Sequence, residues 1–517
     1  MVDPYAPSPS GSPGGTRAAA SRVPLVVALL ATLAIFLPAL VTSYGFTDDY
    51  PVLSMTNGLG GSPAFGFNII DTVGASGRPL AGLLDNLAFS AAGTIDNLRL
   101  IRLVCVLAIL ALVVLLYAAL VRSGVRTTAA AALSVLVFTL PPFQEYGSWA
   151  VLFTVPIAAI FAALASWFVV SAVDGPRERV VDRIVGASAL MLAALITYQP
   201  GAMCLWVYLA VALAGSLDNV RRAVRLTVAH GLVAVVALAV SYVGLKSRYG
   251  GYVSANPRTN LTTDLGAKLR WFVRDAVYQA LNLGKISPIH GLAYTVAAVI
   301  VVGFPLWLLH RRAQSPLLFI AGAIGLVPLT YLPNLLVKED IAYYRTQLAL
   351  SGLLALYAAA GAAGIWLTVR AYLAPRLTKK GLRSASAVVY AAGLAAVGTG
   401  TVLAARNVLT LFVMPQVAEL NLIRSQVARV PTGASRVAFA PTAFNLGMAP
   451  VVRYDEFGLP STSHLFVYEP IVLLTLREQG RLIPGNYPTI DYLPYPTVTF
   501  PKNEPLIDVA PALAELR

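Results

Sequence analysis

Apolar runs of about twenty residues recur along this chain, and each is long enough to cross the hydrocarbon core of a bilayer as a helix. They stand at 23-43, 98-121, 127-142, 150-172, 184-199, 200-216, 224-245, 290-309, 316-336, 346-369 and 385-405, about eleven in all. The third, fifth and sixth are the shortest. Charged residues make up only 12% of the 517 positions, against about a quarter in soluble domains. These two facts predict an integral membrane protein, all-α and polytopic, with about eleven transmembrane helices.

Charge placement predicts the orientation, because short cytoplasmic loops are enriched in Lys and Arg. Alternate connections read "RSGVR", "DGPRERVVDR", "SLDNVRRAVR", "HRRAQS" and "RAYLAPRLTKKGLR", all basic, while the opposite loops "PPFQEYGSW" and "YQPG" carry no Lys or Arg. The N-terminus is therefore expected in the cytoplasm and the C-terminal region outside the plasma membrane. Residues 1-22 include the Pro-, Gly- and Ser-rich "MVDPYAPSPSGSPGGTR" and are expected to form a disordered tail. A membrane domain follows over 23-405, with long outer loops at 44-97 and 246-289. The remainder, 406-517, is expected to be a small extracytoplasmic α/β domain. There "SRVAFAP" and "TVTFP" read as strands, and "EPIVLLTLREQG" as a helix ended by Gly480.

The net charge of +14 comes from Lys and Arg in short groups between apolar runs, a pattern that reports topology and gives no support to nucleic-acid binding. Cys105 and Cys204 lie inside apolar runs without a CxxC partner. His230, His290, His310 and His464 include no pair spaced as ligands on one helix, so a transition-metal enzyme is not indicated.

Ionisable groups beside the hydrocarbon are costly and ask for a reason. The first outer loop opens with "FTDDY", placing Asp48 and Asp49 side by side at the exit of the first span, and continues with Asp71, "GRPL" around Arg78, and Asp85. Helix capping before Pro51 accounts for one acid; two adjacent acids repel and suit a cation or an acceptor hydroxyl. In the second outer loop, Leu265, Leu269, Phe272, Val273, Ala276, Val277 and Leu281 recur at helical spacing, with Lys268, Arg270, Arg274 and Asp275 on other faces. This predicts a helix lying in the interface, either a packed connector or a lipid-phosphate contact. Lys338 and Arg345 flank "EDIAYY"; Arg is suited to phosphate by its planar fork, and an interfacial anchor is the alternative. Arg99 and Arg102 read as snorkelling residues at the end of the second span. In "VVRYDEFGLPSTSH", Arg453, Asp455, Glu456 and His464 form a polar stretch suited to carbohydrate. Ser463 and His464 are adjacent and lack a nucleophile elbow, which speaks against a hydrolase.

The number of spans, "FTDDY" at the exit of the first and the following "GRPL" together resemble the GT-C glycosyltransferase superfamily. The opening is most similar to bacterial O-antigen glucosyltransferase-like and cell-wall arabinosyltransferase-like members. The resemblance implies a GT-C-like fold and inverting transfer of a hexosyl or pentosyl group on the outer face. It also implies a polyprenyl-phosphate sugar donor and a cell-envelope glycan or glycolipid acceptor as partners. Asp48 would then be the general base and Asp49 its orienting partner. Arg78, Lys268, Arg270, Arg274, Lys338 and Arg345 would be candidates for substrate or phosphate binding. No cofactor is required by the sequence; if a divalent cation binds, Asp48 and Asp49 would be its ligands. Two other readings compete: a transporter or flippase of lipid-linked glycans, and a non-catalytic binder of envelope polymer.

Overall fold

A computed structural model describes residues 22-59, 68-253, 260-440, 454-493 and 505-508. The expected tail over 1-21, Arg453 and the "TVTFP" strand lie outside the described residues. Among the described residues, eight helices are long and apolar enough to cross a membrane: Val23–Val41, Leu98–Arg122, Ala150–Asp174, Arg177–Thr197, Val220–Gly250, His290–His310, Leu348–Leu373 and Lys379–Val427. The chain is thus a multi-pass helical membrane protein.

The three other apolar runs are helical but shorter or broken. Thr127–Phe138 and Pro141–Ser148 form a pair bent by 66°. The break falls where Leu140, extended at ψ 154°, precedes Pro141 and Pro142, because a residue before proline is pushed out of the α region. Gln199–Ala214 and Pro316–Leu329 are apolar helices below spanning length. Tyr198 is likewise extended before Gln199 and Pro200. The last long helix passes through position 405 without a break, by a π-helical turn over Val408–Val413 and on to Val427.

Small residues set how closely some helices approach. A Cβ added at Gly303 would strike the carbonyl of Gly361, and one added at Gly364 would strike the carbonyl of Gly303 and the amide of Trp307. Helices His290–His310 and Leu348–Leu373 therefore meet backbone to backbone, as small residues allow in membranes.

Beyond Val427 the chain builds a three-stranded parallel sheet, with β1 (Arg436–Ala440) between β2 (Thr489–Tyr492) and β3 (Leu506–Asp508). The strand expected from "SRVAFAP" is β1. Helix Tyr468–Glu478 ends before Gly480, whose φ is +65°, as a glycine-terminated helix should. This helix packs against Asp49–Thr56 of the first loop. Glu478 accepts from the amide of Ile95 at 2.6 Å, and Arg424 pairs with Asp96 and Glu478 at 2.8 and 3.0 Å. First loop and C-terminal segment thereby close over the same end of the bundle.

Replacing Gly364 with Val should force the two helices apart. The expected cost is about 1–3 kcal/mol of overpacking, seen as a lower unfolding temperature of the purified protein in detergent. An unchanged transition would mean that the backbones do not touch there.

Candidate active site

The chain leaves its first helix through Thr42 and turns back at Thr47, whose φ of 34° is unusual for a β-branched residue. The amide of Thr47 donates to Ser461 Oγ at 3.0 Å. Ser461 is itself fixed, donating from its hydroxyl to Gln416 at 2.7 Å and from its amide to Glu419 at 2.8 Å. Helix Asp49–Thr56 then begins. Asp49 is wholly buried, and its carboxylate accepts from the amides of Phe46 (2.9 Å), Val151 (2.8 Å) and Ala150 (3.3 Å). Asp48 makes no side-chain cap bond and remains partly exposed. The adjacent acids thus differ: Asp49 ties the first loop to the start of helix Ala150–Asp174, while Asp48 is partly exposed.

Three further elements converge on Asp48. Asp85, buried on helix Pro79–Ala92, lies within electrostatic reach of Asp48, Asp49 and Arg78. Arg345, on the short turn Tyr344–Thr346, feels Asp48 as well as Glu456 and Asp455. Its guanidinium pairs with Glu456 at 2.7 Å and stands 4.5 Å from the ring centre of Tyr343 and 5.4 Å from that of Trp149. Arg78 lies 4.4 Å above the ring of Tyr198 and donates to Gln199 at 3.2 Å. Tyr198 hydroxyl in turn reaches the carbonyl of Arg345 at 3.4 Å, and Tyr146 donates to the same carbonyl at 2.8 Å. Tyr198 therefore meets Arg78 with its ring face and the backbone of Arg345 with its hydroxyl. A forked cation, Arg345, within reach of the partly exposed Asp48 gives groups that can hold an anion and take a proton.

A second acidic group backs Arg345. Glu145, on the lower limb of the bent pair, is fully buried with neither carboxylate oxygen in a hydrogen bond, and it feels Asp455, Glu456 and Arg345. Asp455, at φ 57°, and Glu456 are pushed in opposite directions. Burial raises Asp455 to about 7, with the charge of Glu456 adding to it. Burial would raise Glu456 too, but His464 and Arg345 hold it low. Burial alone would lower Arg345, yet the surrounding carboxylates keep it firmly charged. Among the described residues, no three of His, Cys, Asp and Glu stand together as a metal site.

Of the residues singled out in the sequence, Asp48, Asp49, Arg78 and Arg345 come together here, as do Asp85, Asp455 and Glu456. Lys268 does not face this chamber. It is buried, donates to Asp340 and the carbonyl of Glu339 at 2.7 Å each, and so fastens the segment that leads to Arg345. Arg270, Arg274 and Lys338 are exposed. The helix expected there is split, α-helical over Leu265–Trp271 and π-helical over Phe272–Val277, with Leu265, Leu269 and Val273 outward and Phe272 and Ala276 buried. Arg102 departs from the snorkelling expected of it. It folds inward, fully buried, and donates to the carbonyls of Ala39, Thr42 and Tyr44 at 2.8–2.9 Å. Those carbonyls end the first helix and need donors. Asp71 accepts from Asn68 at the start of helix Ile69–Ala75. Sequence reasoning missed Glu145, Trp149 and Tyr198; a lone acid among apolar residues in "PPFQEYGSW" was the available signal.

No family model matches the chain, and no curated protein does. Solved structures similar to it include ArnT from Cupriavidus metallidurans in the apo state, at 13% identity over 90% of each chain with a TM-score of 0.45. ArnT bound to undecaprenyl phosphate matches at 12% identity, again over 90% of each chain, with a TM-score of 0.45. The archaeal oligosaccharyltransferase AglB from Archaeoglobus fulgidus, in complex with an inhibitory peptide and a dolichol-phosphate, matches at 13% identity over 83% of this chain, with a TM-score of 0.45. The chain spans 63% of that protein's length.

Asp49 supplies a test by pH. Burial lifts its carboxyl from 3.8 to about 7 against the pull of its three amides and Arg102. The folded chain therefore keeps a proton that the unfolded chain has lost, so this contribution is full below about 4 and fades as pH rises through about 7. The difference in unfolding temperature between wild type and Asp49→Asn should shrink from pH 5 to pH 8. A difference that grows over that range would place the titration elsewhere.

Proposed function

We propose that this protein is a membrane glycosyltransferase that moves a sugar from a polyprenyl-phosphate-linked donor to a cell-envelope glycan or glycolipid. The observation that carries the reading is that Arg345 and Asp85, on different segments, both lie within electrostatic reach of Asp48, and Asp85 within reach of Arg78. Asp48 is the general base: it takes the proton of the acceptor hydroxyl as that oxygen attacks the anomeric carbon. The bond from that carbon to the phosphate oxygen breaks, and the lipid phosphate leaves with the electron pair and its negative charge. Arg345 and Arg78 oppose the charge as it develops, where fixed donors act most strongly. Asp49 positions the turn that presents Asp48, which refines the orienting role implied by the resemblance. Attack from the face opposite the leaving phosphate would invert the anomeric centre.

The exposed Arg270, Arg274 and Lys338 stand apart from the acids and are assigned here to the surrounding lipid headgroups. Lys268 acts by holding the loop of Arg345. A transporter would need charged or broken elements near the middle of the membrane. The acids and their arginine partners cluster instead at one end of the bundle, which favours chemistry at a surface.

Purified protein in lipid, given a labelled polyprenyl-phosphate sugar pool and envelope acceptor, should transfer label. Asp48→Asn should lower turnover by about 10²–10⁴, the usual worth of general base assistance, while keeping the unfolding temperature. Arg345→Lys should lower it by about 10², since a point charge replaces a fork. Equal turnover in wild type and both variants would sink the assignment.

A further inference from the structure

Helices Leu98–Arg122 and Ala150–Asp174 both start beside the acids and run away from them. Arg102 of the first touches the exit of helix Val23–Val41, and Ala150 and Val151 of the second bind Asp49. Their far ends, Arg122 and Asp174, lie about 30 Å away at 1.5 Å per residue, in the basic loops. Between them is a cavity of about 130 Å³, lined among others by Arg122, Ser123, Ser166, Trp167, Tyr208 and Arg222.

The polar atoms of this cavity do not all satisfy one another. Asp174 is used up by Arg222, which forks onto both its oxygens at 2.8 Å. His230 Nδ1 sits 2.8 Å from the carbonyl of Leu226, which can only accept; Nδ1 is therefore the donor, and Nε2 accepts the Ser166 hydroxyl at 2.9 Å. Arg122 lies 4.1 Å above the ring of Trp167 and, among the described residues, meets no carboxylate within ion-pair distance. Tyr208 is only 8% exposed, yet its hydroxyl has no hydrogen-bond partner. A buried hydroxyl left unpaired bears its desolvation cost uncompensated. What remains open is one guanidinium, the Tyr208 hydroxyl and the Ser123 hydroxyl: net single positive charge, with donors in excess, in a space several times that needed by one water.

We propose that this cavity is a second binding site, at the end of the bundle opposite the acids, for a phosphate-bearing group. Arg122 carries the charge recognition from above Trp167, and Tyr208 donates from the floor. The cavity mouth at Trp167 and Arg122 is exposed, so the group enters from the membrane side or from water. The proposal is independent of the chemistry assigned to the other end.

The test uses the full chain purified in detergent, with its unfolding temperature and native mass spectra recorded against three probes: inorganic phosphate, phosphatidylglycerol and phosphatidylcholine. Wild type should bind phosphatidylglycerol or inorganic phosphate. Tyr208→Phe, which removes one hydroxyl and no charge, and Arg122→Gln should each weaken binding about tenfold. Arg126→Gln, which alters a nearby loop residue outside the cavity, should leave it unchanged. Stabilisation by inorganic phosphate alone identifies a soluble ligand. Stabilisation only by phosphatidylglycerol identifies a lipid headgroup. Binding to Tyr208→Phe and Arg122→Gln as tight as to wild type, or wild-type binding of neither inorganic phosphate nor phosphatidylglycerol, overturns the proposal. So does a loss in Arg126→Gln equal to that in Arg122→Gln.

Discussion

A buried carboxylate must be compensated where it stands, and Asp49 is the one on which the active end of this protein depends. Removing such a group from water costs several kcal/mol. Three backbone amides and the nearby charge of Arg102 oppose that cost, and hydrogen bonds to a charged group return about 1.5–3 kcal/mol each. The two sides are of similar size, which is why the carboxyl is held near neutrality and not at either extreme. The amides come from two segments, Phe46 before the turn and Ala150–Val151 after the bent pair. No local rearrangement can satisfy Asp49 alone, so the exit of the first helix and the start of Ala150–Asp174 are fixed together.

From that junction the packing spreads outward through rings. Phe46 meets Trp149 at 4.8 Å and Phe412 at 5.5 Å, and Phe412 meets Phe457 at 4.7 Å, all edge to face. Edge-to-face pairs of this kind add about 0.5–1.5 kcal/mol each beyond buried area. The chain of rings joins the first loop, the bent pair, the last long helix and the segment that carries Asp455 and Glu456. Arg345 is seated against this assembly by Glu456 and Trp149. The C-terminal segment is consequently part of the site and not an appendage beside it.

What could be read from sequence follows from the range of each interaction. Apolar runs declare helices because a helix satisfies its own backbone wherever it lies, and each of the eleven runs is indeed helical, though three fall short of an unbroken span. The break at Pro141 and Pro142 was printed in the sequence, as was the extended Tyr198 before Gln199 and Pro200, but proline marks a bend without giving its angle. The Asp48–Asp49 pair and Arg345 stood out because ionisable residues are rare beside apolar runs. Arg102 was misjudged because a cation's role depends on which acceptors fold against it, and its acceptors are carbonyls of Ala39, Thr42 and Tyr44, which no residue type announces. Glu145 was passed over because its significance comes only from Arg345, Asp455 and Glu456, all distant in the chain.

The charge balance of the chamber also bears on what it can admit. Asp48, Asp49, Asp85, Glu145, Asp455 and Glu456 gather around Arg78 and Arg345, and six ionised carboxylates there would repel any phosphate. Burial acts against that outcome by pushing Asp49, Asp85 and Asp455 upward, whereas Glu456 stays ionised against Arg345 and His464. Desolvation by burial is the largest cause in each of the three groups pushed upward. The same low-dielectric packing that makes the acids costly therefore sorts them into those pushed toward the neutral form and one, Glu456, held charged by its partners.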